Sequence, residues 1–309
     1  MKEQRYILEN EKTFNPKHIF ECGQCFRWKE KTDGSYTGIF GENVINVKKE
    51  GNKIIFQGIA KEEISQVCTN YFDLNRNYEQ IKNKLSKIDN YMKESIEFGN
   101  GIRILNQDLW ETIISFILSA NNNIPRIKGM IERISCKYGR KITYKGEDYY
   151  TFPTPEELSK ASVEDLRKLG LGFRDKRVYD TTRIILENKI NLQQLRNEKD
   201  FQKLRDTLLT LPGVGPKVAD CILLFSDLKR WEAFPIDVWV RRVMNELYIK
   251  NEDETKVNKK EIEKIAKEKY GEIEGLAQQY LFYWKRDSWK YARIINYSSI
   301  FFIFSWYKI

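Results

Sequence analysis

The segment Leu211-Pro212-Gly213-Val214-Gly215-Pro216-Lys217-Val218-Ala219-Asp220 constrains this chain more than any other. Amphipathic spacing over Phe201 to Thr210 predicts a helix before it, and the apolar run Val218 to Phe225 predicts one after it. Two helices joined by a tight Gly-x-Gly turn make a helix-hairpin-helix. Both glycines read as serving the turn, because glycine takes φ > 0 without a Cβ penalty. The N–H groups that open the second helix then face outward at its positive dipole end, a geometry that accepts phosphate without reading a base sequence. A plain helix–helix turn with a Pro-Gly break gives part of the same pattern. Hairpins of this kind also occur in non-catalytic DNA-binding proteins, so the motif alone does not specify an enzyme.

Composition narrows the class. The 309 residues allow two or three domains, and a hydrophobic fraction of 41% with 13% aromatics is too high for a disordered chain. The net charge of +9 fits a polyanionic partner, though many solvated surfaces carry as much. A single histidine, His18, removes the HExxH zinc site and histidine-rich metal centres. The cysteines (Cys22, Cys25, Cys68, Cys136 and Cys221) are odd in number and mostly scattered, a poor disulfide framework that suits a reducing compartment. The opening MKEQRYILENEK has no apolar core of a secretory signal, and the apolar stretch Ile294 to Ile309 is shorter than the ~20 residues that cross a bilayer. The expectation is a protein of the cytoplasm (the bacterial nucleoid) or of the nucleus, neither secreted nor membrane-bound.

Along the chain, residues 1 to about 60 read as antiparallel strands. Phe26-Arg27-Trp28 leads into a turn at Asp33-Gly34, Tyr36 to Phe40 follows, and Glu50-Gly51-Asn52 turns into Lys53 to Phe56. From about residue 61 the apolar period becomes helical. A buried helix carrying Leu109, Ile113, Phe116 and Ile117 stops at Asn121-Asn122-Asn123, and helical spacing resumes from Ile124. Thr154-Pro155-Glu156-Glu157 and Ser162-Val163-Glu164-Asp165 read as capped helix starts. The Lys- and Asn-rich stretch 250–268 reads as a solvated helix face and its loop. The fold class expected is α+β: a β-rich domain over 1–100, an all-helical body over 101–290 and an apolar tail over 291–309.

Two residues carry candidate chemistry. Lys217 sits in the first turn of the second hairpin helix, where the dipole and the apolar neighbours Val214, Val218 and Cys221 both disfavour an ammonium; a neutral amine is a nucleophile. Taken alone it also reads as a lysine that neutralises phosphate. Asp237, in Phe234-Pro235-Ile236-Asp237-Val238-Trp239, reads as the N-cap of a helix from Val238 to Tyr248. A carboxylate fixed in that way beside Lys217 is suited to stabilise positive charge on a sugar ring.

Leu211 to Asp220 followed by Pro235-Ile236-Asp237 resembles the helix-hairpin-helix, Gly/Pro…Asp (HhH-GPD) superfamily of DNA base-excision glycosylases. Gly23-Gln24-Cys25-Phe26-Arg27-Trp28, Asn121-Asn122-Asn123-Ile124-Pro125-Arg126 and Leu169-Gly170-Leu171-Gly172-Phe173-Arg174 narrow the resemblance to the 8-oxoguanine DNA glycosylase/AP lyase branch, over roughly residues 15 to 285. It implies base flipping in duplex DNA, attack of Lys217 on the sugar C1′, a Schiff base and β-elimination, with Asp237 stabilising the transition state. It implies that the Gly23 carbonyl reads the N7–H of oxidised guanine, that Cys221 and Phe282 sandwich the base and that Gln278 meets its Watson–Crick edge. Without the resemblance Gly23 reads as a turn glycine, and Cys221 and Phe282 as core. It further implies that Asn121, Arg126 and Arg174 serve the orphaned cytosine, with Phe173 wedging the stack where some relatives have tyrosine, and that Gly213, Val214, Gly215 and Trp239 meet phosphates. Trp239 departs from the family pattern, which has a histidine there; an indole donates one N–H and carries no charge. No cofactor or metal is implied; the partner is duplex DNA containing oxidised guanine, and a monomer is expected.

Three other readings fit parts of the sequence. A glycosylase for oxidised pyrimidines, or for adenine opposite the lesion, commonly carries a C-terminal four-cysteine iron–sulfur loop; only Cys221 lies beyond residue 136 here, and the N-terminal β-domain favours the oxoguanine branch. A non-catalytic binder of damaged DNA has no use for both Lys217 and Asp237. A redox role for Cys22-Gly23-Gln24-Cys25 expects a βαβ setting, whereas these residues read as lying among antiparallel strands.

Overall fold

The computed structural model describes residues 2–253 and 256–288; the expected apolar tail over 291–309 lies outside the described residues. Five strands, β1 (Glu3–Leu8), β2 (Trp28–Glu30), β3 (Tyr36–Phe40), β4 (Asn43–Glu50) and β5 (Lys53–Ile59), form one antiparallel sheet in the order β1-β5-β4-β3-β2. In β5 buried residues alternate with partly exposed ones, which is the period of a strand with one covered face. The inner face packs Trp28, Tyr36, Ile45, Val47, Ile54 and Phe56 against Phe14, Phe20 and Phe72, which come from the connection after β1 and from the first helices after the sheet.

Two parts of this region differ from the expectation. A helix, Pro16–Glu21, interrupts the strands, started by Asn15, whose side chain accepts from the Lys17 N–H. Cys22 caps that helix, so Cys22 and Cys25 lie after a helix end and not among strands. Both thiols are free and buried, and burial pushes Cys22 up to about 11 and Cys25 higher still, the opposite of a reactive redox pair.

The body is helical for the reason expected: apolar residues recur at helical spacing and the caps are written locally. The central helix Leu109–Ser119 is buried over nearly its whole surface. Asn123 caps the helix Ile124–Tyr138, and Thr154 and Ser162 both close full capping boxes. The helices Asp175–Leu186, Phe201–Leu209, Pro216–Phe225, Val238–Met244 and Lys259–Tyr270 follow, and a last helix occupies 274–288. The body is not all-helical, however. A hairpin of β6 (Lys141–Tyr144) and β7 (Glu147–Tyr150) projects from it onto the sheet, where Tyr144 packs with Ile39 and Val44 and its hydroxyl donates to Glu3 at 2.9 Å. Its two strands are short and polar outward, so their alternation is too brief to stand out from a loop.

Sheet and body share contacts that matter for the site. Phe26 enters the helical core against Phe116, with ring centroids 5.6 Å apart. The side chain of Gln107 donates to the Gln24 carbonyl at 2.8 Å and to the Phe225 carbonyl at 2.9 Å, tying the segment after the first helix to the end of the second hairpin helix.

Candidate active site

The hairpin turns as its composition requires, but with one glycine in the left-handed region. Gly213 has φ +85°, so the backbone favours glycine, and a Cβ there would also displace the Arg177 side chain, whose Cδ would lie 2.5 Å away. Gly215 is extended at φ −93° and serves as N-cap of Pro216–Phe225, correcting the expectation that both glycines take positive φ. A side chain at Gly215 would meet open space, and because the first helical residue is Pro216, the leading N–H groups are those of Lys217 and Val218, which have no intrahelical acceptor. Val214 folds inward, its N–H donating to the Leu211 carbonyl at 3.1 Å.

Lys217, in the first turn of that helix, lies within electrostatic range of Cys221, one turn along, and of the Asp237 carboxylate. Its Nζ lies 5.6 Å from the centroid of the Phe116 ring. Asp237 caps Val238–Met244, its Oδ1 accepting from the Val240 N–H at 2.8 Å. Burial pushes the Lys217 amine down, but Cys221 and Asp237 push it up by more, so the ammonium is held above the ordinary lysine range. This corrects the expectation of an amine neutral at rest: dipole and apolar neighbours are legible in sequence, whereas the carboxylate brought in from twenty residues away is not. The Cys221 thiol is itself pushed up to about 11, mainly by burial.

A second set of residues comes from the turn at Gly23 and from the last helix. Gly23 has φ +90°, and a Cβ there would lie 3.8 Å from Cε1 of Phe282, so the turn faces the ring edge of the last helix. Gln24 anchors the turn: its side chain is fully buried, donates to the Ile19 and Arg103 carbonyls at 2.9 and 2.7 Å, and accepts from the Leu105 N–H at 2.9 Å. Phe282 and Gln278, one turn apart, line a small apolar cleft with Phe234, Val240 and Met244 that leaves no room for even a water molecule. Gln278 accepts from the Gln279 side chain at 2.8 Å. Two much larger surface cavities, of about 820 and 910 Å³, include neither Lys217 nor Asp237 in their walls; the paired groups, not cavity size, locate the chemistry.

The third set forms an exposed ridge. Phe173 is 55% exposed, with the guanidinium of Arg174 at 4.2 Å and that of Arg177 at 5.0 Å from its ring centroid. Arg126 and Arg177 lie close enough to Arg174 to depress its pKa further, after burial, so two cations lie against one exposed aromatic ring and a third stands near them. Arg126 is exposed, but Arg174 is buried, its Nε donating to the Ala120 carbonyl at 3.0 Å and its Nη2 to the Asn121 carbonyl at 2.8 Å. Arg174 thus holds the loop in which Asn121 adopts the left-handed φ of 49°. Trp239 is 39% exposed beside Val238, which is 59% exposed, and the Arg242 guanidinium lies 5.4 Å from the indole.

Sequence reasoning missed Phe116, Gln24, Gln107 and Arg177 as parts of the site. Their only local signal is helical periodicity or a polar residue in an apolar context, which the core supplies everywhere. Among the described residues no group of His, Cys, Asp and Glu side chains could hold a metal ion, and no helix is long and apolar enough to cross a membrane.

Comparison with known proteins agrees with the geometry. Residues 6–113 match the family described as 8-oxoguanine DNA glycosylase, N-terminal domain, and residues 114–271 match the HhH-GPD superfamily base excision DNA repair proteins. A probable N-glycosylase/DNA lyase of Methanothermobacter thermautotrophicus is 33% identical over 75% of this chain and 77% of its own length. The N-glycosylase/DNA lyase of Saccharomyces cerevisiae is 31% identical over 75% of this chain and 67% of its own. The Clostridium acetobutylicum 8-oxoguanine glycosylase/lyase, solved with double-stranded DNA containing cytosine opposite 8-oxoguanine, superposes with a TM-score of 0.86 at 43% identity, covering 93% of this chain and 97% of that one. With its N-terminal antiparallel sheet, its hairpin and its lysine–aspartate pair, the chain belongs to the 8-oxoguanine DNA glycosylase branch of the HhH-GPD superfamily.

Proposed function

We propose that this protein excises 8-oxoguanine paired with cytosine from duplex DNA and then cleaves the strand, acting as a bifunctional N-glycosylase/AP lyase in base-excision repair. The observation that carries this reading is that folding brings the Asp237 carboxylate, held at the head of its own helix, within electrostatic range of Lys217 in the first turn of the hairpin helix. The N–H groups of Gly213 and Gly215, which flank the inward-folded Val214, hold a phosphate of the strand, and Phe173 enters the stack while the lesion is extruded. Arg126 and the Asn121 loop serve the cytosine left behind; Arg174 reaches it by exchanging the carbonyls it now holds.

The amine acts only after losing a proton, because the resting site holds it as an ammonium. The neutral Lys217 nitrogen bonds C1′ as the C1′–N9 pair leaves with the base, and Asp237 stabilises the positive charge that develops on the sugar. Opening of the ring gives a protonated Schiff base. Loss of a C2′ proton then expels the 3′ phosphate as the C3′–O bond breaks. Specificity rests on Gly23: its carbonyl accepts the N7–H of 8-oxoguanine, whereas guanine presents a lone pair there, a mismatch costing about 1–3 kcal/mol. The protein works where the cell keeps its DNA, in the nucleoid or the nucleus.

Borohydride trapping on a duplex with 8-oxoguanine opposite cytosine tests the reading. Wild-type protein gives a covalent adduct and Lys217→Gln gives none. No wild-type adduct, or an undiminished one from the variant, overturns it.

A further inference from the structure

The two halves of the base-reading cleft come from opposite ends of the chain. Gly23 follows the helix Pro16–Glu21 in the N-terminal domain, and Phe282 stands on the helix over 274–288. Nothing in the local chain keeps the glycine carbonyl and the ring in register, yet reading one N–H requires placement to a few tenths of an ångström. Gln24 fixes the far side of the turn. The near side needs an anchor that also touches Phe282.

Arg286 is that anchor. It lies one turn beyond Phe282, its Nη1 donates to the Glu21 carbonyl at 2.7 Å, and its Nε pairs with Asp287 at 2.8 Å. Its guanidinium carbon lies 5.6 Å from the centroid of the Phe282 ring and 5.1 Å from that of Tyr283. The side chain is only 13% exposed, so these contacts are shielded from water. Glu21 is itself fixed, its carboxylate accepting from the Tyr36 hydroxyl on β3 at 2.5 Å. One planar cation therefore joins the last residue of the helix before Gly23 to the face of the ring that covers the base.

We propose that Arg286 is a specificity-positioning residue, holding the Gly23 turn and the Phe282 ring at the separation that distinguishes oxidised guanine from guanine. The inference rests on the proposed glycosylase reading but does not restate it, since Arg286 touches neither the sugar nor the groups that attack it. A guanidinium suits the task because its flat face lies against aromatic rings while its edge donates to two acceptors in one plane; an ammonium does not do both.

The test compares two duplexes under single-turnover conditions. One carries 8-oxoguanine opposite cytosine, and the other a preformed abasic site, which needs Lys217 but no base reading. Arg286→Met slows 8-oxoguanine excision at least tenfold and narrows the 8-oxoguanine to guanine rate ratio, while cleavage at the abasic site stays within about twofold of wild type. Arg286→Lys, which keeps the donor to Glu21 but loses the planar stack, falls between the two. Thermal melting of both variants is recorded, and if the Met variant melts below the assay temperature the Lys variant carries the comparison. Parallel losses on both duplexes, or excision by Arg286→Met at the wild-type rate, overturn the inference. A wild-type chain inactive on both duplexes overturns the glycosylase reading itself.

Discussion

Replacing Gly23 by alanine separates reading the base from holding the DNA. The residue lies at φ +90°, where an L side chain costs about 1–2 kcal/mol. Space is not the obstacle: the added methyl would meet Phe282 Cε1 at 3.8 Å, an ordinary contact. The chain therefore relieves the strain by rotating the peptide, which swings the Gly23 carbonyl away from the N7 position. Misplacing one acceptor in a closed cleft costs about 1–3 kcal/mol of discrimination, roughly 5- to 150-fold. The assay is the single-turnover excision rate for 8-oxoguanine:cytosine against guanine:cytosine, set beside the affinity for a duplex with a stable abasic analogue. The rate ratio falls by that factor while the affinity changes less than about twofold, because the proposed phosphate contacts lie on the hairpin and the exposed ridge. Equal losses in ratio and affinity would refute the reasoning and leave Gly23 a turn residue only.

The remaining expectations come from charge and exposure. Because Lys217 is held as an ammonium above the ordinary 10.5, its neutral fraction, and with it the excision rate, rises about tenfold per pH unit below that value. Asp237→Asn removes one of the groups holding the proton, so the rate profile moves to lower pH while the maximal rate falls; a flat wild-type profile from pH 6 to 9 contradicts this. Phe173→Ala leaves the melting temperature within the range of a surface change, about 0.5 kcal/mol, because the ring is 55% exposed, but it lowers excision from duplex DNA; an undiminished rate removes the wedge role. Burial pushes Glu274 up to about 7 from 4.5, so the folded state keeps a proton the unfolded chain releases, and stability falls as pH rises from about 4.5 through about 7. Glu274→Gln therefore stabilises the protein by on the order of 2 kcal/mol at pH 8 and not at pH 4; equal shifts in thermal melts at the two pH values count against the account.

Much of the architecture is local and was legible. The alternation around Asp33-Gly34 and Glu50-Gly51-Asn52 gives the hairpins of the sheet, and Thr154, Ser162 and Asp237 cap their helices through their own side chains. The β6–β7 hairpin was not legible, because four-residue strands are stabilised by the sheet they lean on more than by their own pattern. The same holds for the resting charge of Lys217. Helix position and flanking residues argued for a neutral amine, and the neighbours contributed by folding reversed the sign.

By itself the order of residues determined that a hairpin of two helices would form with backbone donors at its turn, that Lys217 would sit at the head of one helix and that Asp237 would head another, because propensity, capping and glycine freedom act within a few residues. Only the tertiary structure decided that those two groups share one site, that Phe282 faces Gly23 across more than two hundred residues, and that Arg174 spends its donors on the Asn121 loop. Those pairings are distant in sequence and close in space, and they are set by the packing of Phe26, Phe116 and Phe225 and by single hydrogen bonds such as those of Gln107, interactions that no local pattern encodes.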